Sequence, residues 1–561
     1  MANLNLGPKD VYDAIVVGSG ATGGWAAKEL TEAGLRVAVL EAGRMLVPEK
    51  EFTEHGIAYQ IRYRGYSPEI AETRPIQGYC SGCNEWNYKW FVNDYENPYT
   101  AAPEKPVWWF RLRILGGRSL AWGRQSYRLS DLDLKAASHD GYGEDWPVSY
   151  SDLASWYDKV ERYIGVSGAA EGASQLPDGK FLPPMPMTCG EVMLRNSAKE
   201  KFGRIVTIGR CANLTAPLNG RPPCHYCGPC ERGCITHSYY NSPTTTLAAA
   251  QATGRLTLIT DAVASHVTTD LDTGRATGVR YVRRVTRESR ELRSKVVVLC
   301  AQAMESVRIL LNSANRQSPS GLANSSGVLG HYLMDHVTGF GAEGTMPMLE
   351  SRPWAGPPQR PNGIYVIRFR NVTERSPNFI RGYGFQGGSS PEFNFEAEGF
   401  GRKFKENVKR GEWHIGLGAF GECLARWDNY IELDKNVVDA WGIPALHIHA
   451  SYGDNERKLG EDAANTAAEM LEAAGAKNIR LTKAMRPFGN AIHEVGVARM
   501  GNNPKTSVLN SFCQTHDVKN LFIMDGSSWV SSGCQNVTLG FMAIACRSCA
   551  YLVDQYKKGE I

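Results

Sequence analysis

No stretch of this sequence is long and uncharged enough to cross a bilayer. The most apolar late segment, Val537 to Val553, is short and carries Arg547, so no direct membrane span is expected. No long Lys/Arg block stands out, and a net charge of +4 is small for 561 residues, so no nucleic-acid partner is expected. No secretory leader is read in the polar opening Met1 to Lys9, where the first apolar run, Ala14 to Val17, leads straight into glycines. Fourteen cysteines, mostly isolated, are too few for a disulfide scaffold at this length. With 42 % hydrophobic and 21 % charged residues the chain reads as ordinary globular protein, and its length calls for two intertwined domains rather than one small core.

Glycine and clustered thiols are what the chain has in excess. Its 58 glycines exceed the usual ~7 % and suit tight turns and close approach of backbone to a cofactor. Four thiols fall in the single loop Cys224-His225-Tyr226-Cys227-Gly228-Pro229-Cys230-Glu231-Arg232-Gly233-Cys234, spaced C-x2-C-x2-C-x3-C. Such a run wraps an iron–sulfur cluster in bacterial ferredoxins. All-cysteine zinc sites usually pair two separated knuckles across a longer spacer, and disulfides are awkward among such close neighbours. Iron–sulfur ligation by Cys224, Cys227, Cys230 and Cys234 is therefore the expectation, with zinc and spectator thiols as alternatives. The ferredoxin run ends in Cys-Pro, whereas Ile235 follows Cys234 and no second run exists. A four-iron cluster on all four thiols and a three-iron cluster on three both remain open. Cys80 and Cys83 form a separate C-x-x-C, without the flanking helix of a thioredoxin-like pair.

Val11 to Val17 reads as a buried parallel strand. Gly18-Ser19-Gly20-Ala21-Thr22-Gly23 follows, then a helix to about Ala33, then a strand from Arg36 to Leu40 that ends at Glu41. This is the dinucleotide fingerprint: Gly18 for the tight turn, Gly20 for the approach of a pyrophosphate, Gly23 for helix–sheet packing, and Glu41 for the adenosine ribose. The phosphates would face the helix N-terminus. NAD and FAD both satisfy it. Further on, Leu115-Gly116-Gly117-Arg118-Ser119 is a glycine turn suited to packing against a flat ring. Residues 151 to 164 read as a helix, and 170 to 190 as Pro- and Gly-rich connection. Leu256 to Thr260 and Val263 to Thr268 alternate as strands; Lys295 to Cys300 is another buried parallel strand, followed by Ala301 and a helix. From about Gly330 to Asn490 short alternating runs, among them Tyr365 to Arg370, Trp413 to Leu417, Tyr430 to Leu433 and Leu446 to Ala450, predict an antiparallel sheet, with a helix from Asn455 to Ala474 covering it. Leu521 to Met524 returns as a strand ending at Asp525-Gly526, and Asn536 precedes a helix from Val537.

Together these motifs resemble the glucose–methanol–choline (GMC) flavoprotein oxidoreductases, nearly end to end. The residues that carry the likeness are the glycine fingerprint with Glu41, the Leu115 to Ser119 turn, the segment His493-Glu494-Val495-Gly496-Val497-Ala498-Arg499-Met500-Gly501, and Met524-Asp525-Gly526 leading to Asn536. The resemblance implies an α/β fold: a Rossmann-like FAD-binding domain over 1–329 with the cysteine loop at 211–240 as an iron–sulfur insertion, an antiparallel-sheet substrate domain over 330–490, and a return to the FAD domain over 491–561. It implies cofactor contacts at Gly18, Gly20, Ala21, Thr22, Gly23, Glu41, Gly116, Gly117, Ser119, Trp122, Ala264, Ala301, Asp525, Gly526, Asn536 and Val537. The catalytic pair falls on His493 and Asn536, a His/Asn subtype. Ala121 stands where members with covalent flavin carry a His before the Trp, so non-covalent FAD is implied. The cysteine run, with Gly123-Arg124-Gln125-Ser126-Tyr127-Arg128, is most similar to bacterial FAD/iron–sulfur sugar dehydrogenase subunits of the glucoside 3-dehydrogenase type.

A neutral imidazole suits a general base for an alcohol proton, and an amide can orient the same oxygen. Glu422, Asn429 and Gln535 are candidate sugar-hydroxyl ligands. The implied partners are a sugar or glycoside, a small subunit carrying a Tat-type export signal and a cytochrome c-type acceptor, with the enzyme periplasmic by co-export and cytoplasmic without that partner. An oxygen-using pyranose oxidase with structural cysteines, and a non-catalytic electron-transfer subunit, are the competing readings.

Overall fold

The computed structural model describes residues 11–53, 56, 62–65, 67–349, 359–392, 398–409 and 411–561. Its first sheet has seven strands. The Val11–Val17 strand lies between Val37–Leu40 and Ser289–Leu299, parallel to both. Leu256–Ile259 adds a further parallel strand beyond Val37–Leu40. The Ser289–Leu299 strand is shared along its length: its first half pairs with the antiparallel strand Ala276–Arg283, its last residues with Leu521–Ile523 in parallel. That sharing brings the C-terminal segment beside the glycine fingerprint, although about 500 residues of chain separate them. Ala14, Ile15 and Val16, like Val296 to Leu299, are inaccessible to solvent, as continuous apolar strands covered on both faces must be. Helices Ala21–Glu32 and Thr538–Lys558 pack on each other over this sheet, with Tyr150–Ile164 outside them.

The second sheet is antiparallel, in the order Lys477–Lys483, Phe340–Thr345, Trp413–Gly421, Tyr383–Pro391, Ile364–Val366 and Val206–Ile208. Its edge strand comes from well before residue 330. Along Trp413–Gly421 the buried Ile415, Leu417 and Ala419 meet the Asp454–Ala473 helix, whose Leu459, Ala463, Ala467 and Met470 are fully buried. The alternate positions, Gly416, Gly418 and Phe420, are on the opposite face. Two strands expected in this sheet are elsewhere: Tyr430–Val438 and Pro444–His449 pair with each other, and the latter with Thr100–Ala101, as a separate three-stranded sheet. A local hairpin satisfies its own ladder, and alternation does not say which sheet it joins. The 170–190 connection also ends in an unforeseen helix, Cys189–Phe202, opened by a Thr188/Glu191 capping box. No helix among the described residues is long and apolar enough to cross a membrane.

Candidate active site

The two sheets enclose a cavity of about 1020 Å³. At one end lies the glycine fingerprint. Gly18 has φ +98°, and a Cβ there would lie 2.4 Å from the Cys300 carbonyl oxygen. A Cβ on Gly23 would lie 2.0 Å from the Gly18 carbonyl, so this contact locks helix to strand. Gly20 differs: a Cβ there meets nothing within 4 Å, because that position faces the cavity. Glu41, at the end of its strand, accepts hydrogen bonds from the backbone N–H and hydroxyl of Ser19 and, at 2.7 Å, from Gly43 N–H. The glycine turn is tied to the same loop: Gly116 N–H donates to Ser19 Oγ (2.9 Å), and Ser242 Oγ donates to the Ser19 carbonyl (2.6 Å). Gly18, Gly20, Ala21, Thr22, Glu41, Gly117, Ser119, Trp122, Ala264, Ala301, Asp525, Gly526, Asn536 and Val537 all line the cavity. Gly23 and Gly116 stand behind it.

At the other end His493 and Asn536 come together, with Asn536 Nδ2 3.4 Å from His493 Nε2. Gln386 Nε2 donates to Asn536 Oδ1 at 2.5 Å, which turns the amide nitrogen toward the imidazole. The Thr538–Lys558 helix begins directly behind Asn536, with the positive end of its dipole toward the cavity. The other ring nitrogen of His493, Nδ1, lies 2.8 Å from Nδ1 of His336. Burial, then the neighbouring His336 and Arg118, hold His493 well below the usual imidazole range, so it is neutral around pH 7. Burial also lowers His336, to about 4. Asp335 Oδ1 accepts the His493 backbone N–H at 3.0 Å and Oδ2 that of Ala491 at 3.1 Å. Arg118, from the glycine turn, donates at 2.7 Å to the buried Glu494. His336, Asp335, Arg118 and Gln386 were not anticipated as site residues. Only Arg118 sits in a motif; His336 meets His493 across 157 residues of sequence.

Two models described as GMC oxidoreductase match residues 12–338 and 425–545. The chain belongs to the GMC oxidoreductase family. It is 29 % identical to 2-methyl-1,2-propanediol dehydrogenase of Mycolicibacterium austroafricanum, over 98 % of this chain and 96 % of that one. It is 26 % identical to the fructose dehydrogenase large subunit of Gluconobacter japonicus, over 98 % of both. A formate oxidase from Aspergillus oryzae RIB40 has the same fold, with a TM-score of 0.64 at 14 % identity, covering 99 % of this chain and 100 % of that one. This GMC oxidoreductase is thus an enzyme acting on CH–OH donors, in a family that binds FAD. Its own residues fit that cofactor: an unfilled approach at Gly20, a helix N-terminus beyond it and an acceptor at Glu41.

Three expected sugar ligands are placed elsewhere. Glu422 is buried, paired with Arg381 (3.1 Å) and Arg368 (3.7 Å). Gln535 donates to Asp133 Oδ2 at 3.0 Å, and Arg368 reaches Asp133 at 3.7 Å. Asn429 exchanges two hydrogen bonds with the backbone of Ser451. All three are buried and none lines the cavity; Glu422 Oε2 is held only by the 3.7 Å ion pair to Arg368 and makes no hydrogen bond.

The cysteine loop also departs from expectation. Among the described residues no group of three or more His, Cys, Asp or Glu side chains could hold a metal ion, so the four thiols are not drawn onto one point as zinc would require. Positive φ at Tyr226, Gly228 and Gly233 winds them around the loop. Cys230 is buried, with the Arg124 guanidinium nearby, while Cys224, Cys227 and Cys234 are half-buried. Burial and the neighbouring thiols push Cys227 up to about 11. The donor chemistry still suits iron–sulfur ligation, because backbone N–H groups of Tyr226 and Ser238 point at Cys224 Sγ (3.4 Å) and Cys234 Sγ (3.3 Å). Glu231, within the loop, reaches the cavity wall.

Proposed function

We propose that this chain is an FAD-dependent dehydrogenase that oxidises a secondary or anomeric hydroxyl of a sugar or glycoside, with C3 to 3-keto as the favoured outcome. The observation that carries the reading is the meeting of a neutral, half-buried imidazole with an oriented amide at the wall of a large cavity. Bound FAD supplies a hydride acceptor for the substrate C–H. His493 Nε2 takes the hydroxyl proton as general base. Asn536 Nδ2 donates to the same oxygen and orients it. Both side chains are half-buried at the cavity wall, so bound cofactor and substrate would complete the exclusion of bulk water from that proton. The relative from Gluconobacter, a fructose dehydrogenase subunit, supports a carbohydrate substrate; the Gly123 to Arg128 pattern favours the C3 position.

Residues 1–329 and 491–561 would form the FAD-binding part and 330–490 the substrate part. Cys224, Cys227, Cys230 and Cys234 would hold an iron–sulfur cluster, which would supply one-electron transfer toward a cytochrome-type partner. The contact of Glu231 with the cavity supports that direction, and a relative that is a large subunit supports an assembly with other subunits. A small Tat-signal-bearing subunit and a periplasmic site of action complete the proposal.

The test is turnover on a panel of glycosides with NMR of the products, in the parent and His493→Ala. A 3-keto product is expected, and kcat roughly 10²–10⁴-fold lower in the variant, with FAD content unchanged. Near-normal turnover of His493→Ala at neutral pH overturns the assignment of the base.

A further inference from the structure

We infer that His336 is the positioning partner of the base: it fixes His493 in the tautomer whose Nε2 carries the lone pair, and it stabilises the imidazolium by accepting its Nδ1 proton in a hydrogen bond. The inference rests on the reading of His493 as general base.

Two imidazole nitrogens 2.8 Å apart need one proton between them. The far edge of His493 decides which ring supplies it. Gln386 holds the oxygen of Asn536, so the amide offers N–H to His493 Nε2, and that nitrogen must accept. His493 is therefore protonated on Nδ1 and donates to Nδ1 of His336. His336 accepts there, which puts its own proton on Nε2, a fully buried atom with no hydrogen-bond partner among the described residues. Donation thus runs one way through four groups: Gln386, Asn536, His493 and His336.

The neighbours leave this order undisturbed. Asp335 is occupied by backbone N–H groups of His493 and Ala491, and Glu494 by Arg118. Tyr452 donates to the His336 carbonyl at 2.8 Å, not to its ring. The Cys423 thiol, pushed up by burial, stays neutral near Asp335. Phe420 offers both imidazoles a ring edge or face. When His493 Nε2 accepts the substrate hydroxyl proton, the imidazolium keeps its Nδ1 proton on the hydrogen bond to neutral His336. The Asn536 N–H, displaced from Nε2, bonds the substrate oxygen instead, and the added proton leaves to water after the product does. An acceptor in that place lowers the energy of the charged base as it forms.

The test uses FAD-loaded protein with two substitutions. His336→Leu removes the acceptor; His336→Gln can present a carbonyl oxygen to His493 Nδ1. In 15N-histidine-labelled parent protein, with the His493 signals identified by their loss in His493→Ala, Nδ1 should give a protonated and Nε2 an unprotonated resonance. His336→Leu should lose this preference and lower kcat roughly 10- to 100-fold, the loss of one hydrogen bond to a charged group, with KM little changed. His336→Gln should restore most of both. A parent His493 protonated on Nε2, or a Gln variant as impaired as Leu while still holding FAD, overturns the inference. Should the Leu variant not fold, the parent spectrum and the Gln variant decide. Full activity of His493→Ala would instead remove the base itself, a distinguishable failure.

Discussion

The buried imidazole of His336 should leave a pH signature in stability that one substitution erases. Its ordinary value of 6.5 falls to about 4 in the folded chain because burial disfavours the cation. Above pH 6.5 neither folded nor unfolded His336 carries the extra proton, and its contribution is constant. As pH falls below 6.5 the unfolded chain gains a proton that the folded one refuses. Stability is therefore lost down to about pH 4, where the folded imidazole also titrates and the loss levels off. A depression from 6.5 to about 4 is worth about 3 kcal/mol. His493, also lowered by burial, adds a loss of the same sign. Asp335 works in the opposite sense: burial and the nearby Glu494 push its carboxyl up to about 7, so stability rises as pH falls from 7 toward 3.8. The parent curve alone mixes these terms, and the comparison with His336→Leu removes the His336 contribution together with its smaller share of the His493 depression. Denaturant unfolding of FAD-loaded parent and variant, followed by flavin and tryptophan fluorescence at pH 7, 6, 5 and about 4, should give curves that converge by about 3 kcal/mol toward acid. Parallel curves would mean that His336 is not held neutral by burial, and the tautomer argument would lose its footing.

Acid or heat denaturation should release free FAD, since Ala121 and not a histidine precedes Trp122; flavin remaining with the precipitate would refute this. Gly18→Ala forces a Cβ to 2.4 Å from the Cys300 carbonyl at φ +98°, so it should cost stability and FAD together, whereas Gly20→Ala, aimed into open cavity, should lower FAD affinity with little change in apoprotein melting; equal melting losses would show that Gly20 is structural. Cys230→Ser should lower iron content and partner-linked activity while dye-linked activity persists, serine being a poorer ligand for iron. An unchanged ratio of the two activities, with iron absent from parent and variant alike, would make the loop structural and favour direct use of oxygen.

The legible parts of the fold were those with a local physical cause. The strand–glycine–helix–strand run at Val11 to Glu41 could be read because each glycine answers a separate steric demand within a few residues. Gly18 turns, Gly23 packs, Gly20 opens. The buried strands were legible because only a sheet covered on both faces tolerates runs such as Val296 to Leu299. Sheet membership was not, since Tyr430–Val438 and Pro444–His449 alternate as well in a separate hairpin as in the larger sheet. The Cys189–Phe202 helix was missed behind prolines that end just before its Thr188 cap. His493 and Asn536 were named from a motif, whereas His336 has no local pattern at all: a histidine after Leu333-Met334-Asp335 looks the same whether or not another histidine lies opposite.

The position of the three sugar-ligand candidates away from the cavity lining follows from the same limit. Glu422, Asn429 and Gln535 are polar residues in apolar surroundings, and a sequence cannot distinguish a polar group awaiting a ligand from one already paired. What decides is the partner. Arg381 and Arg368 lie 41 and 54 positions before Glu422 in the numbering, and Asp133 lies 402 before Gln535. Once folded, Gln535, Asp133, Arg368, Glu422 and Arg381 form one continuous buried network away from the cavity lining, in which Asp133 Oδ1, Glu422 Oε2 and Arg368 Nη1 are held by ion pairs at 3.7 Å and not by hydrogen bonds. Breaking it would strand a buried charge, at about 3–5 kcal/mol for a lost partner. Damage there would therefore lower the amount of folded enzyme before it altered the choice of substrate. A sugar in the cavity would instead meet the open face of the antiparallel sheet, where Gly416 and Gly418 alternate with the buried Ile415 and Leu417 and Gln386 reaches across to Asn536. Glu343, paired with Gly416, and Thr482, paired with Gly341, line the cavity from that same face, so polar side chains beside the glycines, and not backbone alone, would meet the substrate's hydroxyls.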